Sequence, residues 1–150
     1  MSDWLIRPGT DEDLHATADI TAAVAAEDIA TGLAADSAEQ LRARCGPLFF
    51  VCEAAGRIIG FANATVGESA PGERAIWPSG ARFIDLTDLH VIAAERGRGI
   101  GGALLETVLE AAKGMGIERA LVYSAVKDHR RITAFYERYG FRMWFVEMYR

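Results

Sequence analysis

A chain of 150 residues that is 51% hydrophobic and 25% charged has the size and balance of one globular domain over 1–150, and no apolar run approaches the ~20 residues of a membrane span. A net charge of −5 with no lysine cluster argues against nucleic acid as a partner and is compatible with a small cationic one. Cys45 and Cys52 lack metal-ligand spacing and read as reduced thiols, and the first eight residues have neither the basic nor the apolar stretch of an export signal, so the expectation is a cytoplasmic protein with no metal and no membrane partner.

Residues 4–7 read as a short strand stopped by Pro8 and Gly9. Thr10 then stands as an N-cap, with Asp11, Glu12 and Asp13 in the first turn where the helix dipole favours acids, and an alanine-rich helix is expected to about residue 30. Ser37 and Gln40 have the spacing of a capping box for a second helix ending near Cys45 and Gly46. Two β-rich runs, 48–54 and 57–66, flank Ala55 and Gly56 in the pattern of an antiparallel hairpin. The stretch 67–80 carries Pro71, Gly72, Pro78 and Gly80 without periodicity and is expected as a long functional loop.

A strand at 82–92, a helix at 99–114, a strand at 118–126 and a helix at 130–139 follow, and residues 141–150 are aromatic and strand-like. Ile100, Leu104, Val108, Ala111 and Met115 recur at three- and four-residue steps, which marks a core helix. Strand, helix and strand in succession make a right-handed crossover between parallel strands. The expected fold class is therefore α+β: a mixed, mostly antiparallel sheet whose fourth and fifth strands are parallel, with helices on both faces.

The densest chemical signal is the run Arg96, Gly97, Arg98, Gly99, Ile100, Gly101, Gly102 between the fourth strand and the core helix. Glycines let backbone N–H groups close on an anion, the helix N-terminus adds free donors, and arginines select phosphate oxygens, so a phosphate-bearing ligand is expected. The plain alternative is a glycine-rich turn that only starts a helix. Gly97, Gly99 and Gly102 also satisfy G-x-G-x-x-G, but the context of a dinucleotide fold is missing, since the next strand ends without an acid. No Gly-Lys-Ser or Gly-Lys-Thr of a Walker loop occurs.

The run from Leu89 to Gly101 resembles the acetyl-CoA signature of the GNAT superfamily, and Ala134, Phe135, Tyr136, Glu137, Arg138, Tyr139, Gly140 and Phe141 are similar to that family's second motif. The element order resembles the family over nearly the whole chain. This resemblance implies a three-layer GNAT-like fold and an N-acetyltransferase, with acetyl-CoA as cosubstrate. It implies that the main chain at Leu89 and Val91 receives the pantetheine arm and that the loop from Arg96 to Gly102 holds the pyrophosphate. Strands ending near Val91 and Val126 would splay apart to make the slot. His129 stands where many relatives carry Asn at a cofactor contact.

The resemblance also implies roles in catalysis. Tyr136 matches a general acid for the departing thiolate, against the alternative of a ring that only packs. A base must take the proton of the ammonium acceptor; Asp85 stands where histone-type members carry a base glutamate and is the first candidate, and being one methylene shorter it favours relay through water, with Asp88 and His90 next on the same strand. Direct transfer to a primary amine of a small molecule or peptide in a ternary complex is expected. The loop 67–80, with Glu68, Glu73, Arg74 and Trp77, is expected over the acceptor side, and with Asp85 and Asp88 it should favour cationic amines. The alternative class is a non-catalytic acyl-CoA-binding sensor or regulatory domain, and transfer of longer acyl chains stays open. The short tail beyond Phe141 leaves two options: a homodimer whose partner completes the sheet, or an abbreviated sheet.

Overall fold

A computed structural model describes residues 2–72 and 76–150. Five strands, β1 (Trp4–Pro8), β2 (Phe49–Ala54), β3 (Arg57–Glu68), β4 (Arg82–Val91) and β5 (Ala120–Val122), lie in the order β1-β2-β3-β4-β5. The first three junctions are antiparallel and β4 runs parallel to β5. The helices are α1 (Leu14–Ala26), α2 (Ala38–Arg44), α3 (Ile100–Gly114) and α4 (His129–Glu137). No helix among the described residues is long and apolar enough to cross a membrane.

Strand β2 explains the three layers. All of Phe49, Phe50, Val51 and Cys52 are buried, although a strand shows alternate residues to opposite faces, so both faces must be covered. Phe49 and Val51 join Leu14, Ile20 and Val24 of α1, Leu41 of α2 and Phe61 in one core. Phe50 and Cys52 join Leu104, Leu105 and Val108 of α3 in the other, with Phe135, Tyr136 and Tyr139 packed against its edge. Thus α1 and α2 cover one face, and α3 and α4 the other.

Local signals gave the punctuation. Ser37 Oγ accepts from Gln40 N–H at 3.1 Å while Gln40 Oε1 accepts from Ser37 N–H at 2.8 Å, the reciprocal capping box. Ala55 and Gly56 both have positive φ, +49° and +74°, as the tight β2–β3 turn requires. The first helix differs: Thr10 opens a short 3₁₀ turn (Asp11–Asp13), and α1 ends at Ala26, with Asp28 at φ +55° after it.

Three expectations are corrected. Residues 141–150 form no strand, because β5 is only three residues long and offers hardly any edge for another strand to pair with. The strand expected at 118–126 is β5 alone, since residues 123–127 leave the sheet for another partner. Met115 lies past the end of α3 and is exposed, because 3.6 residues per turn carry the buried stripe to Leu105 and Ala112.

Candidate active site

Strands β4 and β5 stay together for three pairs, Ile84 with Ala120, Asp85 with Leu121 and Leu86 with Val122, and then part. Residues 125–127 turn to the chain that follows α1. Ala30 bridges Val126, Thr31 N–H donates to Ala125 O at 2.9 Å, and Lys127 N–H donates to Ile29 O at 2.9 Å. Residues Asp88 to Val91 therefore keep β3 on one side and have no strand on the other among the described residues. The result is a slot along the free edge of β4, beginning earlier than expected, at Val122. Leu89 and Val91 line up on this edge, their side chains packed toward the α3 core.

Arg96 to Gly99 lead from β4's end into α3, and Ile100, Gly101 and Gly102 form its first turn. Gly97 and Gly99 both have φ +79°, a left-handed conformation in which a side chain is strained, and open space surrounds both. The first intrahelical bond of α3 runs from Ala103 N–H to Gly99 O at 3.0 Å, so the N–H groups of Ile100, Gly101 and Gly102 precede the helical ladder. Glycine at 102 has a different cause: a β-carbon there would lie 2.0 Å from Tyr139 Oη.

The two arginines are not free. Arg96 donates to both oxygens of Glu27 at 2.6 Å and from Nε to Val91 O at 3.0 Å, and this hydrogen bonding holds the Glu27 carboxyl below the usual range. Arg98 is held by Glu95 and Asp3. Arg96 thus ties the loop to the end of α1. Sequence reasoning missed Glu27, although an acid at a helix C-terminus, where the dipole disfavours it, signals a cationic partner.

A β-bulge organises the carboxylates. Asn63 pairs with Asp88 and Ala64 with Leu86, leaving Thr87 as the extra residue. A strict two-residue period would turn Asp85 and Asp88 to opposite faces; the bulge brings Asp85, Asp88 and His90 all to the α1 face. There Asp88 is enclosed: Arg44 donates from Nε at 2.9 Å and Nη2 at 2.6 Å, and Thr87 Oγ1 donates at 2.8 Å. Arg44 also reaches Asp36 at 2.9 Å. His90 Nε2 stands 4.0 Å from Asp88, and burial keeps its pKa below the ordinary value.

Asp85 is half-buried, and its carboxyl makes no hydrogen bond or ion pair among the described residues. Burial alone raises its pKa. It stands on the stretch where β4 and β5 are still paired, just before the slot opens. Asp88, engaged by Arg44, is chemically a different group, and no sequence signal pointed to Arg44.

On the other face, Tyr136 packs edge-on against Phe135 and Phe141 at ring distances of 5.0 and 5.5 Å, and burial pushes its phenol up to about 12. His129 opens α4 behind its N-cap Asp128, which accepts from Arg131 N–H at 3.1 Å, and its side chain is exposed. The loop after β3 is closed at its base by Ser69 N–H to Ala81 O and Gly80 N–H to Ser69 O, both 2.8 Å. Trp77 in this loop lies against Phe83 at 5.4 Å between ring centres. Glu73 and Arg74 lie outside the described residues. Both cysteines are free, their thiols pushed up to about 11 by burial.

The profile of the Acetyltransferase (GNAT) family matches residues 15–141. N-acetyltransferase 8 of Rattus norvegicus is 30% identical over 91 residues, which cover 61% of this chain and 38% of that one. The chain thus spans about two fifths of the length of the curated relatives it matches. Among solved structures, an acetyltransferase of Trypanosoma brucei has 22% identity and a TM-score of 0.70, with 97% of each chain covered. A predicted acetyltransferase of Clostridium acetobutylicum, solved with acetyl-CoA, has 18% identity and a TM-score of 0.72, covering 97% of this chain and 96% of its own.

Proposed function

Because the chain belongs to the GNAT acetyltransferase family, we propose that it is an N-acetyltransferase, moving acetyl from acetyl-CoA to a primary amine in a ternary complex, with no covalent enzyme intermediate. The observation that carries this reading is the slot along the free edge of β4 with an open glycine loop at its end. A pyrophosphate fits that loop, since Gly97 and Gly99 have room for a close anion and the N–H groups of Ile100, Gly101 and Gly102 precede the helical ladder. The main chain at Leu89 and Val91 would take the pantetheine arm, Arg98 at the surface can turn to phosphate, and His129 at the start of α4 stands near the cofactor's path. Arg96 contributes by fixing the loop through Glu27 rather than by a free charge. The bound solved relative from Clostridium acetobutylicum supports acetyl-CoA as the cosubstrate.

When bound, the cosubstrate supplies an acetyl thioester. Asp85 accepts the ammonium proton, directly or through water, and frees the nitrogen lone pair; a raised pKa makes it a stronger base than an ordinary carboxylate. Tyr136, with a phenol near 12, keeps its proton across the neutral range and donates it as a hydrogen bond to the departing sulfur. Two unpaired thiols support a reducing compartment, the cytoplasm. Exposed Met143, Val146, Met148 and Tyr149 support a homodimer through the tail.

The test is acetyl-CoA-dependent thiol release with a panel of amines, joined to a thermal-shift titration. Acetyl-CoA raises the melting temperature of the wild type and not of Gly99→Glu, whose side chain brings strain and negative charge to the anion site. Tyr136→Phe lowers kcat about tenfold to a hundredfold with acetyl-CoA binding retained. Acetyl-CoA stabilisation without thiol release from any amine would instead favour the acyl-CoA sensor.

A further inference from the structure

Residues of the loop after β3 and of the tail after α4 border an open cavity of about 240 Å³ beside the N-terminal half of β4. Ile76, Trp77, Phe83, Leu121 and Trp144 supply its apolar walls, and Glu68 is the one ionisable group among the described residues of its lining. Its position relative to Asp85 follows from strand geometry. Phe83 is two residues from Asp85 on the same strand, hence on the same face, and Leu121 is the residue paired with Asp85 on β5. Asp85 therefore stands between the mouth of the slot and this cavity. A nitrogen resting at Asp85 and facing the slot can extend the rest of its molecule past Phe83 and Leu121 into the cavity.

We propose that this cavity holds the body of the acceptor and that the acceptor is a primary amine carrying one aromatic or comparably apolar group. The inference rests on the acetyl-transfer reading and adds the acceptor's chemistry to it. Two indoles and a phenyl ring offer an apolar, π-rich wall against which a flat ring buries more area, and stacks more fully, than a flexible polyamine chain does. The second carboxylate expected to attract a polycation, Asp88, is enclosed by Arg44 and Thr87 and presents no free charge. Among the described residues, Glu68 and Asp85 are the carboxylates along the path, and these two disfavour an anionic group on the acceptor. The volume is smaller than the roughly 300 Å³ at which drug-sized sites begin, which suits one ring system.

The experiment measures kcat/KM for 2-phenylethylamine, a dipeptide amide with N-terminal phenylalanine, spermidine and glutamate on the full chain with acetyl-CoA. Binding of 2-phenylethylamine to the CoA-saturated protein is followed separately by tryptophan fluorescence. A ring-bearing amine is favoured over spermidine by about tenfold to a hundredfold, the worth of burying one ring. The dipeptide arm distinguishes a free amine from a peptide end. Trp77→Ala and, independently, Trp144→Ala bring that ratio to within about threefold and weaken ring binding. Spermidine used as well as the ring amines, or no ring binding to the CoA-saturated protein, overturns the proposal. Ring binding that is lost in both variants, with no thiol released from any amine, upholds the cavity as a ring site and overturns acetyl transfer.

Discussion

Asp85 and Asp88 lie three residues apart on β4 and face the same way, yet their surroundings are opposite. Asp88 is sealed, its side chain only 2% exposed, with Arg44 and Thr87 on its oxygens. Asp85 is half-buried, its carboxyl has no partner among the described residues, and it holds its proton more tightly than a free carboxylate. A carboxylate neutralised by an arginine fork and buried beneath it is held in its charged form and out of a substrate's reach, whereas a partly desolvated and unpaired one is poised to accept a proton. Position on the strand does not decide which acid can react; the neighbours do.

The largest expected effect tests the sealed acid. Arg44→Ala leaves Asp88 charged and uncompensated in the sheet, so it should cost about 3 kcal/mol or more of stability, read as a lower urea midpoint with an unchanged slope. A midpoint close to that of the wild type would mean that Asp88 is not held as described.

Asp85→Asn should act in the opposite sense, lowering kcat/KM about a hundredfold while the fold persists. Steady-state kinetics beside urea unfolding separates the two acids. Equal loss of stability in both variants would erase the contrast.

The pH profile sharpens it further. Asp85 must be ionised to act, so kcat/KM should rise with pH along a limb set above the ordinary carboxylate range, and that limb should be missing in Asp85→Asn. The smallest effect is on stability. A carboxyl whose pKa is raised on folding lends stability below its unfolded pKa and loses it as pH rises through the folded value. Asp85 is therefore a cost at neutral pH, and Asp85→Asn should be slightly more stable there and no more stable in acid, as paired denaturation curves at the two pH values will reveal.

What could be read from the sequence was local. The Ser37–Gln40 box, the turn at Ala55 and Gly56, and the glycine loop before α3 each depend on a few neighbouring residues, and each stands as expected. The parallel pair followed from the succession of strand, helix and strand. The bulge at Thr87 could not be read, because it is defined only against β3, and it alone brings Asp85 and Asp88 to one face. Arg44 and Asp88 are 44 residues apart, and an arginine in a helix's last turn looks the same whether it faces solvent or a buried acid. The tail at 141–150 has the composition of a strand, but composition does not supply an edge to pair with.

Glycine at 102 links two parts of the molecule that the sequence presents separately. With a β-carbon 2.0 Å from Tyr139 Oη, any side chain there acts as a wedge between α3 and the end of α4. Tyr136 rides on α4, and Tyr139, in the turn just past the helix, donates its N–H to Tyr136 O at 3.0 Å. The close approach of the first turn of α3 to the Tyr139 ring thus depends on the missing methyl group of one residue. A substitution at Gly102 can then act at a distance: in the proposed mechanism its first symptom would be a displaced proton donor, a defect of chemistry arising inside a motif proposed to serve binding.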